Sequence, residues 1–191
     1  MPDTQGELSD EALLVQKAKE FDSETWTQIY QCYYPKIYAY LSRRLGNTNP
    51  VEDIVADVFL RAVEGIGSFS YRGTSLLAWL YRIAHNQMVD HLRRKAKLNT
   101  RPLTEEALAE IATSEDTTEG VLIRKELNAA LKNLTEDQRQ VVLLKFFGGL
   151  SNAEVARIIG KSEGAVKALQ HRALASLRRI LEAEDRCEKR L

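Results

Sequence analysis

Apolar residues recur along this chain at steps of three and four, and no stretch alternates as a half-buried strand would. The pattern predicts helices throughout. One starts near Ser9. A longer one runs through "ETWTQIYQCYYPKIYAYLSRRLG", where Pro35 is expected to kink or divide it and Gly46 to end it. The next has Asn49 as cap, Pro50 at the first helical position and Glu52 three residues past the cap, and runs to about Glu64. After the loop "GIGSFSYRGTS" a further helix extends to about Ala96. Helices resume near Thr118, and Thr135 with Gln138, then Ser151 with Glu154, make two capping boxes.

Between these helical stretches the composition changes. Residues 97–117 hold Pro102, a run of acids and scattered Thr and Ser, the makings of a flexible linker. The expected fold is all-α: two small helical domains, residues 1–96 and 118–191, joined by that flexible acidic linker. Of 191 residues, 27 are basic and 27 acidic, but the balance hides an asymmetry. Residues 1–100 are neutral, residues 101–120 carry a net −5 and residues 121–191 a net +5. Cys32 and Cys187 lie far apart without ligand partners at zinc-like spacing, as expected of thiols in a reducing cytoplasm. No signal peptide and no membrane-length apolar run is present.

The strongest local motif is "NAEVARIIGKSEGAVKALQHRALASLRR". Ala156 is small enough for two helices to cross closely, Gly160 supplies the turn, and Ser162 caps the second helix. Val155, Ile159 and Val166 form the small core between them. This is helix-turn-helix spacing, in which the second helix enters the major groove. On that helix Val166, Ala173, Leu177 and Ile180 project inward. Lys167, Ala168, His171, Ala175 and Arg178 project outward, with Arg172 and Arg179 at the flank. Small alanines among long cations let such a helix sit deep while its basic groups reach phosphates.

"AWLYRIAHNQMVDHLRRK" (78–95) places its Trp unexpectedly. Leu77, Leu80, Ala84 and Met88 share one face. Trp79, Arg82, Asn86, Val89 and Arg93 fall on the opposite one, with Arg94 beside them. An indole among guanidiniums and an amide suits single-stranded DNA, where stacking is worth about 1–3 kcal/mol per base. Phe69, Tyr71 and Arg72, in the preceding loop, are materials for a pocket that holds a flipped base. Packing of Trp79 against the preceding helices is the other reading of the same pattern. On the helix at 51–64, Val51, Val55, Val58, Phe59 and Ala62 point inward. Asp53, Ala56, Asp57, Leu60 and Glu64 point outward, an acidic face around one exposed Leu.

Three blocks, "NPVEDIVADVFLRAV", "FSYRGTSLLAWLYRIAHNQMVDHLRRK" and "LTEDQRQVVLLKFFGGLSNAEVARIIGKSEGAVKALQHRALASLRR", occur in this order. Together they resemble conserved regions two and four of bacterial RNA polymerase sigma factors of the extracytoplasmic-function (ECF) group. The resemblance implies a promoter-specificity subunit of core RNA polymerase without catalytic activity or cofactor, acting in the cytoplasm. It implies that the 78–95 helix and its loop capture the minus-ten strand, Trp79 standing where the family places a duplex-opening aromatic. Primary sigma factors use two adjacent tryptophans there; this chain has Ala78 beside Trp79, which implies weaker melting and stricter dependence on promoter sequence. The C-terminal helix-turn-helix would read the minus-thirty-five duplex and meet the β flap. The face of Asp53, Ala56, Asp57, Leu60 and Glu64 would dock on the clamp helices of the β′ subunit. The acidic linker would lie in a polymerase channel in place of nucleic acid. Many members of the group are held by an anti-sigma factor.

The alternative from another class is a stand-alone helix-turn-helix transcriptional regulator. It requires a sensor or receiver domain, usually alternating strands with helices, and residues 1–96 show none. An enzyme has no footing: His85, His91 and His171 lie in basic helices without paired carboxylates or ligand spacing, and no phosphate-binding glycine loop is present.

Overall fold

The computed structural model describes residues 4–45, 50–71, 74–98 and 127–188. The chain divides into two compact units, Met1–Ala109 and Glu110–Leu191. Among the described residues there is no strand. The fold is all-α, as the periodicity requires. Most of the acidic linker lies outside the described residues; Lys97 and Leu98, assigned to it from composition, instead continue the helix before it.

The first unit contains α1 (Thr4–Lys19), α2 (Ser23–Leu45), α3 (Pro50–Gly65), a 3₁₀ turn (Ile66–Ser68) and α4 (Leu76–Leu98). The first helix begins ahead of the expected Ser9. Asp22 starts α2, its carboxylate accepting from the Thr25 amide at 2.8 Å and the Thr25 hydroxyl at 2.6 Å. These bonds to Thr25 hold the Asp22 carboxyl below the usual carboxylate range. Pro35 does not divide α2, which runs through it unbroken. Ile29 precedes the proline and Ile37 and Leu41 follow it, all three buried. Tyr30, Tyr34 and Tyr38 stack along the helix past it, with ring centroids 5.0 and 5.7 Å apart. Packing on both sides offsets the roughly 3 kcal/mol that an interior proline costs.

The inward face of α3 is as expected, with Val51, Val55, Val58, Phe59 and Ala62 buried and Ile54 added to them. It packs on α4 and α2. From α4, Leu80, Ala84 and Met88 are fully enclosed. Buried Gln87 of α4 accepts a hydrogen bond from the Arg61 guanidinium, tying the two helices by a polar contact as well.

The second unit comprises α5 (described over 127–132), α6 (Glu136–Val142), a π-helical turn (Leu143–Phe147), α7 (Asn152–Ile159) and α8 (Glu163–Glu188). Both predicted capping boxes form. Thr135 Oγ1 accepts from the Gln138 amide at 3.4 Å, and Ser151 Oγ from the Glu154 amide at 3.2 Å, each returned by the Gln138 or Glu154 side chain. Arg139 of α6 donates to the carbonyls of Leu131 and Lys132 at 3.0 and 2.9 Å, satisfying the end of α5.

Candidate nucleic-acid and protein interfaces

The helix-turn-helix is built from α7, a turn and α8. Gly160 ends α7 in the left-handed conformation (φ 66°), which only glycine adopts without strain, and its N–H returns to the Ala156 carbonyl. Ser162 Oγ accepts from the Ala165 amide at 3.2 Å and starts α8. Lys161 in the turn pairs with Asp137 of α6 at 2.9 Å, so the turn is anchored to the helix beneath. Val155, Ala156 and Val166 are buried between the helices. Ile158 joins them, and Ile159, expected there, is only half-buried. α7 packs on both α8 and the π-turn, so its buried stripe is wider than a two-helix projection allows.

On α8 the partition of faces holds. Val166, Ala173 and Leu177 are buried and Ile180 is half-buried, while Lys167, Ala168, His171, Arg172, Ala175, Arg178 and Arg179 are exposed. Arg178 is engaged within its own helix: its Nε lies 2.7 Å from Glu182 Oε1, and this bond raises the guanidinium pKa further. The π-turn adds a feature absent from the sequence reading, Phe146 and Phe147 exposed at 51% and 41% just before a turn in which Gly149 has φ 69°. The signal was present in "KFFGGL", an aromatic pair against two glycines.

In the first unit, Arg82, Asn86, Arg93 and Arg94 of α4 are exposed and Trp79 is half-buried. Arg93 lies 4.0 Å from Asp90, and Arg94 donates to the Asp90 carbonyl at 3.4 Å. The indole of Trp79 tilts over Phe69 with centroids 4.9 Å apart, and its Cζ2 lies 3.4 Å from where a Cβ on Gly65 would stand. Phe69 is 5% exposed, so it supports Trp79 from beneath and offers no face to an incoming base in this conformation. Both chain neighbours of Trp79, Ala78 and Leu80, are buried. Tyr71 is half-buried. Burial and a hydrogen bond to Glu11 hold its phenol above the usual range. Arg72 lies outside the described residues.

The outward face of α3 is as projected. Asp53, Ala56, Asp57, Leu60 and Glu64 are all exposed, Leu60 at 57%. Leu60 is one of several exposed apolar side chains among the described residues, and it is set apart by sharing its helix face with Asp53, Asp57 and Glu64. No described helix is long and apolar enough to cross a membrane.

Residues 29–98 match the family model for Sigma-70 region 2, and residues 124–177 that for Sigma-70, region 4. The chain is 37% identical over 171 residues to the ECF RNA polymerase sigma factor BldN of Streptomyces coelicolor, covering 88% of this chain and 64% of that protein. It thus spans less than two thirds of BldN. With the ECF RNA polymerase sigma factor SigW of Bacillus subtilis it shares 30% identity over 177 residues, 87% of this chain and 94% of SigW. In fold it is similar to RpoE of Bartonella quintana, solved with the anti-sigma factor NepR. There the TM-score is 0.70 at 24% identity over 82% of this chain and 96% of that one. It is also similar to CnrH, solved with the cytosolic domain of CnrY, with a TM-score of 0.67 at 24% identity over 91% and 97% of the two chains.

Proposed function

Since the chain belongs to the sigma-70 family, in its ECF group of RNA polymerase sigma factors, we propose that it binds core RNA polymerase and directs promoter-specific initiation. Residues 1–96 would serve the minus-ten element and the polymerase clamp, residues 118–191 the minus-thirty-five element, with the acidic linker 97–117 between them. The duplex is read by α8. Lys167, Ala168 and His171 meet base edges, while Arg172 and Arg178 meet phosphates. The unpaired minus-ten strand is taken by α4 and its loop: Trp79 stacks on a base, Arg82, Arg93 and Arg94 hold the backbone, and Asn86 reads an edge. Tyr71 lines the approach, Arg72 is assigned to the same DNA strand from its place in the sequence, and Phe69 contributes from below the indole.

The observation that carries this reading is the face of α3. Its acids surround Leu60, 57% exposed on a helix whose opposite side is fully packed. Asp53, Ala56, Asp57, Leu60 and Glu64 suit a partner that brings both cations and an apolar seat, and the β′ clamp helices are that partner. Exposed Phe146 and Phe147 supply an apolar patch on the second unit for the β flap. An anti-sigma factor would act by covering one of these surfaces.

Asp53→Arg with Leu60→Glu tests the assignment. Both positions are exposed, so helical content should be unchanged, while core association measured by fluorescence anisotropy should be lost. Unchanged affinity would return this face to ordinary solvated surface. The stand-alone regulator is tested in the same assay: specific promoter binding without core polymerase supports it and removes the sigma reading.

A further inference from the structure

The start of α4 is held from the far end of the unit. Ser75 is its N-cap: the Ser75 carbonyl accepts from the Trp79 amide at 3.1 Å, and Ser75 Oγ from the Ala78 amide at 3.2 Å. A helix N-terminus leaves four amides without helical partners, and Ser75 satisfies one of them. Another, that of Leu76, donates to Glu11 Oε1 of α1 at 2.7 Å, across 65 residues of sequence. A carboxylate there also meets the positive end of the helix dipole.

The same carboxylate takes part in a second set of contacts. The Tyr71 hydroxyl hydrogen-bonds to Glu11. Tyr33 of α2 is pushed up to about 12 by burial and then by the charge of Glu11. Glu11 is half-buried, and α1 packs against the 3₁₀ turn from which the loop departs. One carboxylate therefore grips Tyr71 ahead of α4 and the first turn of α4 behind it. Trp79 follows within that same turn of helix.

We propose that Glu11 is a positioning residue for the strand-reading surface, its carboxylate setting the start of α4 and the place of Tyr71 so that Trp79 meets the promoter bubble in a fixed orientation. The inference rests on the assignment of α4 to the minus-ten strand. It gives α1, through Glu11, a role in promoter opening.

Three variants in the full chain, assembled with core polymerase, test it: Glu11→Ala, Glu11→Gln and Trp79→Ala. Glu11→Ala should bind core normally yet form open complexes on duplex promoters about fivefold less well, the worth of a lost helix cap falling on that step. Pre-melted bubble templates should narrow the deficit only partly, because the misplaced Trp79 still meets the strand poorly. Glu11→Gln keeps an acceptor for the Leu76 amide and should retain most activity, and it decides the matter if the alanine variant folds badly. Trp79 emission should shift in Glu11→Ala, read in a Trp26→Phe background. If Trp79→Ala is defective while Glu11→Ala opens promoters normally, the inference about Glu11 is overturned and the assignment of α4 stands. If Trp79→Ala itself opens duplex promoters normally, the assignment of α4 falls and the inference with it. A loss of stability in Glu11→Gln with core binding and opening reduced in equal proportion would mark Glu11 as structural only.

Discussion

Trp79 divides its surface between two environments. One part of the indole lies on Phe69 and the end of α3, and the rest remains open beside Arg82 and Asn86. Trp79→Ala should therefore cost an intermediate amount, about 1–2 kcal/mol, short of the roughly 3–5 kcal/mol of a fully enclosed aromatic. Promoter opening, followed by permanganate footprinting, should fall much further than the melting temperature suggests, and bubble templates should restore much of it. A large drop in melting temperature with normal opening would place Trp79 in the core and end the DNA-facing reading. Projection onto a helical wheel found the side of α4 from which the indole leaves. It could not find Phe69 beneath it, because a projection sets the direction of a Cβ and says nothing of which loop folds back under it. Glu11 was missed for the same reason. Its partner amide is far away in sequence and carries no side-chain signature.

Among the elements, α8 was the most legible. Its inward and outward faces follow from spacing within one helix, although that helix packs on both α6 and α7. What the spacing did not show is the ion pair between Arg178 and Glu182. If Arg178 meets a phosphate as proposed, this pair competes with that phosphate for the guanidinium. Arg178→Ala should weaken binding across minus-thirty-five sequences and lower the salt slope by about one unit. Glu182→Gln, which releases Arg178, should tighten binding on every sequence, by no more than about fivefold given the small worth of an exposed ion pair. Lys167 or His171 substitutions should instead change base preference. Titration of each variant on a panel of duplexes at several salt concentrations separates these outcomes. Identical profiles for all of them would remove the division between phosphate and base contacts. The π-turn and the intact α2 stand at the other extreme. Glycines and a proline mark where the backbone has freedom or constraint, but packing on Ile29, Ile37 and Leu41 decided that Pro35 leaves its helix whole.

For the whole molecule, the two units have different spectroscopic and titration identities. All seven tyrosines and both tryptophans lie within residues 26–81. Burial pushes Tyr33 and Tyr81 up to about 12, with the charge of Glu11 adding to the first. Their folded-state preference for the neutral phenol contributes stability in full below about pH 10, where unfolded tyrosine is still protonated, and is lost as pH rises towards 12. Alkaline titration should unfold the first unit before the second. Tyrosine and tryptophan fluorescence should then change while helical circular dichroism from the second unit persists. A single coincident transition would show that the units unfold together. The expected cap at Asn49 and helix end at Gly46 lie outside the described residues. The sequence by itself determined most of the helices, the caps at Thr135, Ser151 and Ser162, the buried stripe of α3 and the basic face of α8. These depend on residues within a turn or two of one another, where periodicity and capping chemistry act. Tertiary structure alone decided what lies beneath Trp79, that Ile158 is enclosed more than Ile159, that Phe146 and Phe147 emerge from a π-turn, and that Glu11 reaches the start of α4. Each of these is set by which distant segments meet, and contacts between distant segments leave no period in the chain.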